Sequence, residues 1–182
     1  ILVLSVLLIW FFSQTAMGQQ PLIVFLVRHA EKVDSSKNPA LSPAGKTRAT
    51  SIARNLEDAN IKFVHSTDYL RTKNTAAPIA KKAGLKINLY DAGNLPSLVQ
   101  KLKRKGGRHL VVGHSNSTPK LAQLLGGEPG PKIHENEYDR LYIISIFKNG
   151  VTNTIRMRLG EAFQTAPLKS DEFREQDKTN NF

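Results

Sequence analysis

The chain has 182 residues, no cysteine, and 26 lysines and arginines against 15 acidic residues, for a formal net charge of +11. That length suggests one domain with a single substantial core, and the absence of cysteine excludes disulfides and thiol chemistry within it. The positive balance favours anionic partners. No basic stretch is interleaved with aromatics in the way that stacks bases, so nucleic acid is not the expected one.

Residues 1–12 are apolar apart from Ser5, and small residues close the stretch that follows, at Ala16 and Gly18. This pattern reads as the apolar and cleavage regions of an export signal over residues 1–18, shortened at its basic start. About a dozen apolar residues fall short of the ~20 that span a bilayer. The expectation is therefore a secreted or periplasmic bacterial protein with no stable membrane anchor after signal cleavage. One globular domain is expected over residues 19–163, and a polar tail of mixed charge over 164–182.

The domain opens on the apolar run 22–27, which stops at Arg28-His29. An unbroken run of this kind reads as a strand buried on both faces, as in a parallel sheet covered by helices. A polar loop, 32–41, leads to Ser42-Pro43, a cap followed by proline at the first helical position. Ala49, Ile52, Ala53 and Leu56 then repeat at helical spacing, and Asn60 closes the helix. A second strand, 61–65, delivers His65. Thr67 or Asp68 caps a second helix running to Ala83, with Gly84 beyond it and Pro78 as a point where it could kink or break.

Strand three, 85–90, alternates apolar and polar residues. Helix three, 95–105, carries Lys101, Lys103, Arg104 and Lys105 near its end, a basic cluster (with Arg108) that reads as a solvated helix terminus. Strand four, 109–112, delivers His114. Thr118-Pro119 repeats the cap-plus-proline signal for a helix to Leu125, and a loop, 128–137, follows. Strands 141–147 and 151–159, joined by Lys148-Asn149-Gly150, read as an antiparallel hairpin. The alternation predicts an α/β fold, a three-layer αβα sandwich whose sheet is mostly parallel with a C-terminal antiparallel hairpin.

Such sheets bind ligands beyond the carboxyl ends of their strands, which is where Arg28, His29 and His114 fall. A neutral imidazole is a nucleophile able to carry a covalent group, and an adjacent arginine is a fork of donors suited to phosphate oxygens. Arg71, one turn into the second helix, starts from the same sheet edge. Two arginines and two histidines make a cationic pocket fitted to a phosphoryl group in transfer. His65, a single histidine without that context, reads as a satisfied structural residue, and His109 and His134 carry no motif.

Val27-Arg28-His29-Ala30-Glu31-Lys32 with Leu41-Ser42-Pro43-Ala44-Gly45 resembles the opening of the histidine phosphatase superfamily, the phosphoglycerate-mutase-like fold. Ser66-Thr67-Asp68-Tyr69-Leu70-Arg71 with Thr75-Ala76 resembles its second arginine segment, and Val112-Gly113-His114-Ser115 its second histidine segment. The resemblance runs over about residues 22–160. It implies that His29 becomes a phosphohistidine, that Arg28, Arg71 and His114 hold the phosphoryl oxygens, that a carboxylate protonates the leaving group, and that neither metal nor cofactor is required. The family usually has glycine after the nucleophile, where this chain has Ala30. That departure occurs in the small phosphatase branch.

The family's mutases place their acid in a long insertion after strand three, and only about twenty residues separate Tyr90 from strand four here. Asp91, at the end of strand three, is the expected general acid, with Glu31, Asp34, Glu135 and Glu137 as alternatives. Glu31 and Asn116, which lies beside His114, are candidate substrate contacts. The expected activity is hydrolysis of phosphate monoesters, the substrate being a phosphorylated small molecule or a surface glycan or lipid. A phosphomutase of the same fold and an inactive phosphate-binding member are the alternatives.

Overall fold

The computed structural model describes residues 21–160. Strands and helices alternate through them as β1 (Leu22–Arg28), α1 (Pro43–Asn55), β2 (Phe63–Ser66), α2 (Leu70–Lys82), β3 (Ile87–Leu89), α3 (Leu95–Lys105), β4 (Arg108–Gly113), α4 (Ser117–Leu124), β5 (Arg140–Ile146) and β6 (Thr152–Arg158). They form one sheet in the order β3-β2-β4-β1-β5-β6. The β3·β2, β2·β4 and β4·β1 pairs are parallel, while β5 runs antiparallel to β1 and β6 to β5.

The apolar run of β1 is explained by its place between β4 and β5, with helices on both faces. Leu22, Val24 and Leu26 point into a core with Leu98, Leu102, Leu121 and Leu125 of the α3–α4 side. Phe25 and Val27 point the other way, into a core with Ile52, Ala53, Ala76 and Ile79 of α1 and α2. Each such side chain contributes roughly 1.5–3 kcal/mol on full burial, so β1 is held from both sides. The three-layer αβα sandwich and the terminal hairpin are as the sequence predicts.

The differences lie at element ends, and each has a physical cause. β2 begins at Phe63 and not at Ile61, although Ile61 is still buried in the α1–α2 core. β3 is cut to Ile87–Leu89 because the amide of Leu85 donates to the Ala80 carbonyl (2.8 Å), closing the end of α2 through Gly84 at φ +64. α2 begins at Leu70 with no side-chain cap from its own flank. Its Leu70 amide donates instead to Asn38 Oδ1 (2.8 Å), a residue of the first loop. The helix runs through Pro78 to Lys82, losing only the bond that a Pro78 amide would have made. α4 starts at Ser117, capped by Asn116, two residues earlier than Thr118-Pro119 suggests. The expected signal at 1–18 and the tail at 164–182 lie outside the described residues.

Candidate active site

Register places the two histidines side by side. Arg28 of β1 lies opposite Gly113 of β4, so the residues that follow, His29 and His114, leave neighbouring strands together. The His29 amide extends the ladder by donating to the Gly113 carbonyl (2.9 Å), and the imidazole centroids are 5.5 Å apart, edge to face. Gly113 has no room for a side chain: a Cβ there would stand 3.0 Å from Ser117 Oγ, Thr118 Oγ1 and Tyr90 Oη. Its bareness lets α4 close under the strand end, where Ser117 Oγ accepts from the His114 amide (2.9 Å).

The loop after His29 is pinned by two helices. The Ala30 amide donates to Thr75 Oγ1 of α2 (2.9 Å), and the Ala30 methyl is buried against Leu41 and Ala49. This packing accounts for alanine where the resemblance leads one to expect glycine. Glu31 offers its carbonyl to the Ser42 amide (2.9 Å), and α1 approaches so closely that a Cβ on Gly45 would fall 2.2 Å from that carbonyl oxygen.

His29 is 3 % exposed, and its Nδ1 lies 2.8 Å from the Ala30 carbonyl. A carbonyl only accepts, so the proton is on Nδ1 and the lone pair on Nε2. Burial pushes the pKa of His29 down to about 3, partly offset by the bond to the Ala30 carbonyl and reinforced by Arg28, His114 and Arg71. The imidazole is therefore neutral at physiological pH. Burial, then Arg71 and Arg28, push His114 down to about 4.

His114 ends a hydroxyl chain. Thr72 Oγ1 is 3.0 Å from the Thr67 and Tyr69 carbonyls and 2.9 Å from Thr67 Oγ1, which is 3.0 Å from His114 Nε2. With the Thr72 proton on a carbonyl, Thr67 donates to Thr72 and accepts from His114 Nε2–H. Nδ1 of His114 then keeps a lone pair.

The arginines are held by rings and carbonyls. Arg28, 2 % exposed, has Nη1 at 2.7, 2.8 and 3.0 Å from the carbonyls of His134, Glu135 and Glu137, and its guanidinium lies 4.3 Å from the Tyr138 ring centroid. Its Nε is buried with no partner among the described residues. Arg71 lies over Tyr69 at 4.4 Å, and Tyr69 meets His114 edge-on at 5.3 Å. Beyond one long bond to the Lys37 carbonyl (3.5 Å), no hydrogen bond from the described residues engages the Arg71 guanidinium. Unspent guanidinium donors facing two neutral imidazoles suit an oxyanion.

The candidate carboxylates separate sharply. Asp91 is exposed and accepts from the Gly93 amide (2.8 Å) in its own turn, lining a cavity of about 720 Å³ with Thr67, Asp68, Tyr69 and Tyr90. Glu31 binds Arg48 Nε (2.7 Å) and ties the loop after His29 to α1. Asp34 is exposed and accepts from the Ser36 amide (2.8 Å). Glu137 is buried between Arg140 (2.6 Å) and Arg158 (2.7 Å), a structural role. Of the five carboxylates only that of Glu135 touches a site arginine among the described residues, with Oε2 3.0 Å from Arg28 Nη2 and Oε1 3.0 Å from Lys32 Nζ. The hydrogen bond from Lys32, with the Arg28 charge behind it, lowers its pKa.

Asn116 spends its side-chain oxygen on the Ser117 amide (2.8 Å) as the cap of α4. His65 lies within the sheet, bonded to His109 (3.0 Å). Sequence reasoning offered Thr67 only as a helix cap and gave no role to Tyr69 or Tyr138. The first two lie inside the quoted second-arginine segment and could have been weighed there; Tyr138 carries no local signal, because only the β1·β5 pairing brings it to Arg28.

A family model described as the histidine phosphatase superfamily (branch 1) matches residues 24–92. No curated protein matches the chain. Among solved structures, the protein histidine phosphatase SixA complexed with tungstate is similar at 18 % identity and a TM-score of 0.61, covering 75 % of this chain and 96 % of that one. The mycobacterial glucosyl-3-phosphoglycerate phosphatase with inorganic phosphate matches at 14 % and 0.61, over 77 % and 97 %. Phosphoglycerate mutase from Bacillus anthracis matches at 14 % and 0.61, over 76 % and 93 %. At these identities the structural likeness establishes the fold, which is phosphoglycerate-mutase-like.

Proposed function

We propose that this chain is a member of the histidine phosphatase superfamily, whose model matches residues 24–92, and that it hydrolyses phosphate monoesters in two steps through a phosphohistidine on Nε2 of His29. The observation that carries this reading is the tautomer of His29. Its Nδ1–H is committed to the Ala30 carbonyl, so the neutral ring presents a lone pair on Nε2 beside two arginines.

In the first step Nε2 attacks phosphorus, the P–N bond forms and the ester P–O bond breaks, and the leaving oxygen takes a proton. In the second, water attacks phosphorus, the N–P bond breaks and inorganic phosphate leaves. Arg28 Nε and the Arg71 guanidinium neutralise the phosphoryl oxygens. An incoming dianion offsets the burial and the Arg71 and Arg28 repulsion that depress His114, so Nδ1 takes a proton and becomes a further donor.

Glu135 is the best-placed source of the leaving group's proton. Substrate phosphate displaces it from Arg28, and the neighbouring negative charge then raises its affinity for a proton. Asp91, at the edge of the Thr67–Tyr69 cavity, is the second candidate. Cations alone neutralise the phosphate in this account, so no metal is called for. The apolar start of the chain supports an exported enzyme acting on a small phosphate ester or on a phosphorylated surface glycan or lipid. Intact mass of protein recovered from a bacterial periplasm tests that reading, and retention of residues 1–18 would count against it.

The test is a panel of phosphate esters assayed in excess chelator. Wild-type protein releases phosphate, and His29→Ala, folded by circular dichroism, does not. Turnover by His29→Ala at the wild-type rate would end the assignment, and loss of wild-type activity in chelator, restored by a divalent ion, would end its metal-free form.

A further inference from the structure

The α3 side of the sheet holds a second cationic pocket, away from the strand ends. It has a volume of about 290 Å³ and is lined by Phe63 and His65 of β2, Asn88 of β3, His109 of β4, and Lys101, Arg104 and Lys105 of α3. That volume is near the lower end of small-molecule sites, roughly 300–1,000 Å³. Three of its rings stack in a row: Phe63 and His109 at 4.7 Å and 27°, then His109 and His65 at 5.2 Å and 24°.

The charges around those rings are all of one sign. No carboxylate lines the pocket, and neither Lys101, Arg104 nor Lys105 forms an ion pair among the described residues. Lys105 instead lies 5.1 Å from the Phe63 ring centroid. A solvated helix end accounts for cations at the end of α3, but not for their convergence with Phe63, His65 and His109 on one pocket.

One polar group of the lining is left over. His109 Nε2 lies 2.8 Å from the Gly106 carbonyl, so it carries the proton there and Nδ1 accepts. His65 Nε2, 3.0 Å from that Nδ1, must then be the donor. The remaining nitrogen, His65 Nδ1, is buried with no partner among the described residues, on a side chain 3 % exposed. Burial, with His109 and Lys101 adding to it, keeps His65 neutral at physiological pH, so Nδ1 is an unanswered acceptor. Buried polar atoms are rarely left so without a reason.

We propose that this pocket is a second ligand site, taking a small planar ring that bears carboxylate or phosphate groups and a hydroxyl or N–H donor. The ring meets the Phe63–His109–His65 row, the anionic groups meet Lys101, Arg104 and Lys105, and the donor answers His65 Nδ1.

The full chain is titrated with 5-hydroxyisophthalate, a planar dicarboxylate with one hydroxyl that is not a phosphatase substrate, and followed by amide NMR shifts. Saturable shifts are expected at Phe63, His65, Lys101, Arg104 and His109, with a Kd on the order of 1 mM or tighter. Lys101→Glu with Arg104→Glu, both on exposed positions of α3 outside the catalytic residues, should weaken binding at least about tenfold while aryl phosphate hydrolysis is unchanged. Absence of saturable shifts at these residues, shifts confined to the neighbourhood of His29 and His114, or equal binding by the double variant would each overturn the proposal.

Discussion

At the scale of single residues, Arg28 shows how much of the site was legible. Its neighbour His29 and the later Arg71 and His114 announced themselves by type, order and position at strand ends. What Arg28 binds did not. Its Nη1 and Nη2 are taken up by backbone carbonyls and a carboxylate of residues 134–137, more than a hundred positions away in sequence, and no local pattern encodes a contact of that range. The same distance hid Glu135 behind Asp91, whose place at a strand end is visible in sequence. The two are separated by leaving group. A general acid contributes typically 10²–10⁴-fold, and an aryl oxide leaves without needing a proton. Glu135→Gln should therefore slow alkyl phosphate hydrolysis far more than aryl phosphate hydrolysis, and Asp91→Asn should slow neither by much. The reverse pattern would return the role to Asp91, and equal losses on both substrates for Glu135→Gln would leave it a binding residue.

At the scale of elements, the sequence marked interiors better than ends. Helical spacing and cap-plus-proline signals found α1, because Ser42 Oγ accepts from the Gly45 amide (3.1 Å) within the same segment. The start of α2 was misplaced because its cap, Asn38, comes from a different loop. That cap and Gly45 do related work: one fixes the helix that carries Arg71, the other lets α1 press against the loop that follows His29. Gly45→Ala puts a Cβ 2.2 Å from the Glu31 carbonyl oxygen, and backbone cannot swing aside as a side-chain tip can. Overpacking of this kind costs typically 1–3 kcal/mol. Urea unfolding should show a loss of at least that size, with a drop in kcat as the nucleophile loop shifts. A Gly45→Ala protein with wild-type stability and rate would mean that the loop is not held as described.

At the scale of the whole molecule, the parallel core and the hairpin were readable because both rest on local periodicity. That the hairpin docks beside β1, and so brings Tyr138 to the site, was not, since strand order depends on packing between distant segments. The buried histidines also have a molecular consequence. His29 and His65 have pKa values lowered from 6.5 to about 3 by burial, so between those limits the unfolded chain binds protons that the native protein refuses. Stability is therefore full above about pH 6.5 and falls on acidification, by roughly 2 kcal/mol for each of the two at pH 5. In a phosphate-free buffer the urea midpoint at pH 5 should lie well below that at pH 7, a window above the ordinary carboxylate range. An unchanged midpoint would contradict neutral burial of these rings. The central claim is the covalent step on His29, and its most direct measurement is quenched-flow trapping with a slow aryl phosphate substrate, followed by peptide mass spectrometry under alkaline conditions. The account predicts one phosphoryl group on the peptide containing His29, labile to acid and absent from His29→Ala. Turnover with no such adduct, or a phosphoryl group on another residue, would contradict it.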